Sequence, residues 1–271
     1  MRLAFVFVTI ACLVTPAIGQ MRDNRDRQLS CDDFNRNGPR VCDLQERTLG
    51  PAATLEIMPG RNGGVVVKGW AQNQVLVRAR LEAWAENEAN ARALLSQVRV
   101  DAGGGQIRGT GPELTENWFG NRYQLWAVSF EIFAPWDTNL RLESHNGGIN
   151  VSDVRGRIDL ESHNGGVRLT RVAGDINASA HNGAIQVEVE GNTWNGRQID
   201  LSTHNGALTL SLPSSFSASV EARSDRGRLY SEFPVIYRGS VNERNLHFNI
   251  GSGGPLIRLS THNGGIRLTR M

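Results

Sequence analysis

From about residue 140 to the end of the chain, apolar and polar positions alternate, and the alternation is interrupted by one recurring tripeptide. His-Asn-Gly stands at His145, His163, His181, His204 and His262, followed each time by a small residue and then an aliphatic one. Successive copies are 18, 18, 23 and 58 residues apart, so the first three keep strict register and the later ones carry insertions. A short fixed period of this kind denotes stacked units.

Alignment on the histidine produces four aliphatic columns. Leu140, Ile158, Ile176, Ile199 and Ile257 precede it by five residues, and Leu142, Leu160, Ala178, Leu201 and Leu259 by three. Ile149, Val167, Ile185, Leu208 and Ile266 follow it by four, and Val151, Leu169, Val187, Leu210 and Leu268 by six. Polar residues such as Asn150, Arg168, Gln186, Thr209 and Arg267 fall between them. This period of two predicts strands with one buried face. Each 18-residue unit then reads as strand, turn at Arg155-Gly156 or Ala173-Gly174, second strand and His-Asn-Gly corner. One unit cannot bury its own apolar face, but parallel stacking at about 4.8 Å per rung would merge the columns into one core. The expected fold is mainly β: a β-solenoid-like stack of roughly 18-residue repeats with a small α+β N-terminal module carrying one helix.

The corner is assigned a structural role. Gly147, Gly165, Gly183, Gly206 and Gly264 are expected to supply positive φ, which Asn146, Asn164, Asn182, Asn205 and Asn263 also tolerate. Asparagine side chains stacked on successive rungs can hydrogen-bond along the column.

Four segments follow from the same reading. Residues 1–19 look like a signal peptide, with Arg2, an apolar run from Leu3 to Val14 and Ala17-Ile18-Gly19 before Gln20. Residues 20–49 read as a polar leader, 50–135 as the α+β module and 136–271 as the repeat stack. In the module, Arg61-Asn62-Gly63 is a degenerate corner, and Glu86 to Val98 has helical spacing through Ala89, Ala93, Leu94 and Val98. Asp225-Arg226-Gly227 is a decayed corner after the fourth copy. Because the chain stops soon after Leu268, the last full copy is expected to leave an open edge through which a second copy could associate.

Composition narrows the partners. With the leader removed, 28 basic residues face 27 acidic ones without a basic cluster, which argues against nucleic acid. No other stretch is long and apolar enough to cross a membrane as a helix, so the mature chain is expected to be exported, in the periplasm, on the outer surface or outside the cell. Its cysteines, Cys31 and Cys42, have ten residues between them, and an oxidising compartment makes their disulfide the default. Closing such a loop contributes about 3 kcal/mol by the loop-entropy estimate.

Taken together, these features resemble a family of exported bacterial domains of unknown function, the putative-adhesin or toast-rack family. The resemblance is carried by Gly63-Gly64-Val65-Val66-Val67-Lys68-Gly69-Trp70, the helix at Glu86 to Val98, and Phe133-Ala134-Pro135-Trp136-Asp137 leading into Leu140-Arg141-Leu142. The Asn-Gly-Gly-Ile corners and Trp194-Asn195-Gly196 before Ile199-Asp200-Leu201 complete it, over residues 50–271. It implies a β-rich stack, an envelope location, and no established reaction or catalytic residues.

Candidate chemistry is sparse. Histidines on adjacent rungs could share a transition ion, which makes His145, His163, His181 and His204 the metal candidates, with Glu143 and Glu161 nearby. A parallel ladder, however, points its rings the same way, so a stacked surface ladder is the preferred reading and no metal or cofactor is assigned. Such rings would repel one another as they become charged near their usual pKa of about 6.5. Ser144-His145 and Ser162-His163 are not nucleophile–base pairs, because adjacent strand residues face opposite ways. Asp153, Asp159, Asp175 and Asp200 could line a polysaccharide groove, though their alternation with aliphatics fits ordinary solvated positions. Trp118 and Phe119, in a polar loop, are the candidate ligand platform.

The function expected from this reading is a non-enzymatic, adhesin-like binding or scaffolding module at the bacterial envelope, with an envelope polysaccharide or envelope protein as partner. The alternative is a carbohydrate-binding or carbohydrate-active β-helix enzyme acting on cell-surface polysaccharide.

Overall fold

The computed structural model describes residues 29–31, 39–113, 124–191, 194–234 and 245–271. The leader at residues 1–19 and the Trp118-Phe119 platform lie outside the described residues.

The described chain runs β1 (Arg40–Leu49), β2 (Thr54–Met58), β3 (Val65–Trp70), β4 (Val75–Trp84), α1 (Glu88–Leu95), β5 (Arg99–Gly103), β6 (Gln106–Thr110) and β7 (Leu125–Pro135). The repeats follow as β8 (Asn139–Asn146), β9 (Ile149–Ser152), β10 (Ile158–Asn164), β11 (Val167–Val172), β12 (Ile176–Asn182), β13 (Ile185–Val189), β14 (Gln198–Asn205) and β15 (Leu208–Leu212). The last strands are β16 (Ala218–Ser224), β17 (Leu229–Ser231), β18 (Asn245–Ile250), β19 (Leu256–Asn263) and β20 (Ile266–Arg270).

These strands form two ten-stranded sheets, ordered β1-β4-β7-β3-β9-β11-β13-β15-β20-β17 and β18-β16-β19-β14-β12-β10-β8-β2-β6-β5. Each repeat sends its first strand to the second sheet and its second strand to the first sheet, turning at the corner. Parallel pairing keeps the aliphatic columns in register: Leu140 meets Ile158, then Ile176, Ile199 and Ile257. Ile149, Val167, Ile185, Leu208 and Ile266 align likewise in the first sheet. Their inward side chains are at most 1% exposed and belong to one core that runs from Leu55 to Leu268. The architecture is the expected mainly β, solenoid-like stack, closed at its N-terminal end by β1, β4 and β7 and by the short helix. Asn87 caps α1 by accepting from the Asn90 amide, and Ala91 and Leu94 are its buried positions.

Insertions leave register untouched. In the 23-residue step the extra residues leave the stack between β13 and β14, where Trp194 Nε1 donates to the Gly174 carbonyl at 2.8 Å and the ring packs on Phe216. Cys42, in β1, forms a disulfide with Cys31.

Three sequence expectations need correction. The segment read as polar leader contributes a strand, since residues 40–49 form β1, antiparallel to β4. Its pattern is polar because it is an edge strand: Val41 and Leu49 are partly buried against the core, while Arg40 pairs with Glu82 and Glu46 with Arg78. Second, the last full copy is not an open edge for a second copy to use. β19 inserts between β14 and β16, and β20 between β15 and β17, so the decayed Asp225-Arg226-Gly227 rung covers the C-terminal one. Order along the chain and order in space part company within the 58-residue step.

Third, the corner glycines do not use left-handed backbone. Positive φ occurs at the opposite turns, at Gly156 (139°) and Gly174 (94°), but not at Gly147, Gly165, Gly183, Gly206 or Gly264. Their constraint is steric. A Cβ on Gly165 or Gly183 would lie 2.1 Å from the carbonyl oxygen of the glycine one rung earlier, and on Gly264 it would lie 1.8 Å from that of Gly206. Backbones stack directly on one another at this edge, and only hydrogen fits between them. We therefore expect Gly183→Ala to destabilise the fold by about 1–3 kcal/mol, as overpacking does. Urea unfolding would measure it, and an unchanged midpoint would refute the close approach.

Candidate functional site

The glycine approach brings the corner side chains into two columns. Asn146 Nδ2 donates to Asn62 Oδ1 at 3.0 Å, Asn164 to Asn146 at 2.9 Å, Asn182 to Asn164 at 2.8 Å, Asn205 to Asn182 at 2.8 Å and Asn263 to Asn205 at 2.7 Å. All the amides point the same way. Each carries both a donor and an acceptor, so the chain propagates until it meets a group with one function only. At one end that group is the Trp126 carbonyl, which accepts from Asn62 Nδ2 at 3.2 Å. At the other it is the Arg226 guanidinium, which donates to Asn263 Oδ1 at 3.4 Å and has no acceptor to offer.

Beside the amides stand the imidazoles. Rings of His145, His163, His181, His204 and His262 stack with centroids 4.7, 4.9, 5.1 and 4.7 Å apart and planes within 8° of parallel. His145, His163, His181 and His204 are exposed, and His262 is partly covered. The column ends at Asp225, whose Oδ2 lies 2.8 Å from His262 Nδ1. His262 foremost, then Arg223, holds the Asp225 carboxyl below its ordinary value. Asp225-Arg226-Gly227 thus closes both columns, the acid on the histidines and the arginine on the asparagines.

Parallel rings at this spacing direct their nitrogens side by side, whereas a tetrahedral ion needs nitrogens converging at about 2.0–2.1 Å. Among the described residues no group of three or more His, Cys, Asp or Glu side chains is gathered to hold a metal. The serines preceding the histidines turn inward: Ser144 Oγ donates to the Gly147 carbonyl at 3.1 Å and Ser162 Oγ to that of Gly165 at 3.0 Å. Thr203, Thr261 and Ser224 do the same for Gly183, Gly206 and Gly264 from the following rung. Sequence reasoning missed this buried hydroxyl column, although a Ser or Thr stands before four of the five histidines.

The four candidate acids are each tied to an arginine. Asp153 binds Arg171 through two bonds of 2.6 and 2.7 Å, Asp159 binds Arg157 at 2.7 Å, Asp175 binds Arg197 at 2.7 Å and Asp200 binds Arg258 at 3.1 Å. Arg197 keeps the Asp175 carboxyl below its ordinary value. Arg157, Asp175 and Arg197 also line a shallow cleft at the turn side, with Asn139 and Asn195. Each of the four carboxylates is thus engaged by a guanidinium.

A stack of parallel rungs with ladders on one edge and terminators at both ends defines a β-repeat protein. The chain belongs to the family described as Toastrack DUF4097, whose profile matches residues 86–269. No curated protein matches it. Among solved structures it is similar to a "putative cell adhesion protein" from Clostridium sporogenes, at 13% identity and a TM-score of 0.46, covering 85% of this chain and 100% of that one. It is also similar to a "putative adhesin" from Bacteroides fragilis, at 11% identity and 0.31 over 84% and 97%. A "putative lipid binding protein" from Parabacteroides distasonis gives 10% identity and 0.34 over 84% and 96%.

Replacing Asn182 by alanine removes two ladder bonds and leaves Asn164 Oδ1 and Asn205 Nδ2 to water. The expected loss is about 1–2 kcal/mol, read by thermal or urea unfolding. A ladder without energetic weight would leave the transition where it was.

Proposed function

We propose that the protein is an exported, non-enzymatic, adhesin-like module that binds or scaffolds a polymer or protein of the bacterial envelope. The observation that carries this reading is the outer face of the second sheet with its adjoining corner. It is a polar surface on a registered core, edged by a corner that repeats the same histidine and asparagine at five rungs.

Other features agree. The Cys31–Cys42 disulfide fits an oxidising compartment outside the cytoplasm. No helix among the described residues is long and apolar enough to cross a membrane. Asp153, Asp159, Asp175 and Asp200 are each engaged by an arginine, so the surface is read as one that holds rather than cleaves. Asn and Gly at the corners serve the stack, while His and the outward polar residues remain available to a partner.

The test is co-sedimentation of the purified protein with isolated bacterial envelopes and wall polysaccharides, scored for both retention and release of sugar fragments. Saturable retention without fragments is the expected result. Release of fragments would overturn the non-enzymatic reading, and absence of retention would overturn the binding role.

A further inference from the structure

The geometry points to a groove for an extended, neutral, β-linked polysaccharide along the outer face of the second sheet, an assignment that rests on the proposed binding role. Two residues before the histidines, on the same face of each strand, one column reads Glu143, Glu161, Ser179, Ser202, Ser260 and Arg223 in spatial order. The three serines occupy consecutive rungs. They are much shorter than their neighbours on both sides: the imidazoles of His181, His204 and His262 form one wall, and Asn177, Asp200 and Arg258 the other. The short serines thus form a column of hydroxyls, parallel to the stack, between two columns of longer side chains. Glu161 closes it at one end, and Arg223, paired with Asp225, at the other.

Its chemistry selects a neutral, hydroxyl-rich ligand. Asp200 and Arg258 neutralise each other across the far wall at 3.1 Å. Among the described residues, Ser202 and Ser260 hydroxyls and the ring nitrogens of His181 and His204 have no hydrogen-bond partner, while Ser179 reaches only the Leu160 carbonyl at 3.5 Å. Serine hydroxyls and neutral imidazoles each both donate and accept, as sugar hydroxyls do.

The spacing selects an extended polymer. Rungs repeat at 4.7–5.1 Å along the histidine column. An extended peptide lying along the groove would advance about 3.3 Å per residue and present one face about every 6.6 Å, so its groups would fall out of step. Successive sugars of an extended β-1,4-linked glycan are flipped relative to one another, but each advances by close to one rung and carries hydroxyls on both edges, so each of three successive sugars can meet one serine and one imidazole. A coiled α-linked glycan cannot follow the line.

The experiment compares retention of the protein on chitin and cellulose particles with retention on insoluble α-linked glucan, for the wild type, Ser202→Glu/Ser260→Glu and Glu161→Ser. The double variant places in the groove the residue type that the same column already carries at Glu143 and Glu161, so folding is retained, and circular dichroism checks it. Expected are retention on the β-linked particles alone, about tenfold or greater weakening in the double variant, from at least one lost hydrogen bond, and tighter binding by Glu161→Ser, whose groove gains a rung. Equal retention on α-linked glucan, or a double variant as tightly held as the wild type, would overturn the assignment. Binding to whole envelopes that survives Ser202→Glu/Ser260→Glu, with none to β-linked glycan, would remove the groove but not the envelope role. Loss of envelope binding in the wild type would remove both.

Discussion

Backbone contact at the glycine corner is the constraint on which the rest of the structure depends. Where Gly165 passes over Gly147 and Gly183 over Gly165, a Cβ would lie 2.1 Å from a carbonyl oxygen. The resulting approach sets neighbouring asparagines within 3.0 Å of each other and the imidazoles into a single file. It also fixes register. A slip of one residue would turn the aliphatic columns to solvent and place a side chain where only hydrogen fits. The core drives assembly through apolar burial, and the corner selects one alignment among those burial alone would permit.

Termination is as specific as propagation. A parallel stack with identical rungs presents open edges to any further copy, a hazard that repeat proteins meet with atypical end units. Here the side-chain ladders end in groups that cannot extend them. Arg226 donates without accepting, the Trp126 carbonyl accepts without donating, and Asp225 ends the imidazole file. The last full repeat, lying inside the stack, never becomes an edge.

Much of this was legible in the sequence, for identifiable reasons. The aliphatic columns and the parallel pairing follow from a period of two repeated at constant spacing, which tolerates few other arrangements. What escaped was tertiary. Edge strand β1 is polar because its outer face meets water and its partners are charges on β4, as Arg40 with Glu82 shows. The rung order could not be read, because nothing local distinguishes β19 pairing beside β14 from β16 doing so. Sequence suggests a local, conformational reason for the corner glycines, whereas their reason lies in the next rung. For the polar face, spacing alone places the histidines on one edge. The serines next to them gain meaning only when their neighbours' lengths are seen together, as do the ion pairs that neutralise Asp153, Asp159, Asp175 and Asp200.

Function follows from repetition: a corner that offers the same histidine and asparagine at five rungs suits a partner that is itself repetitive and extended. That repetition rests on the asparagine ladder. The most direct test is side-chain amide hydrogen exchange by nuclear magnetic resonance, resolved for Asn62, Asn146, Asn164, Asn182, Asn205 and Asn263. One slowly exchanging Nδ2 proton on each of them, with protection lost at neighbouring rungs when Asn182 is replaced, is the predicted result. Exchange at the rate of free asparagine along the whole column would contradict it.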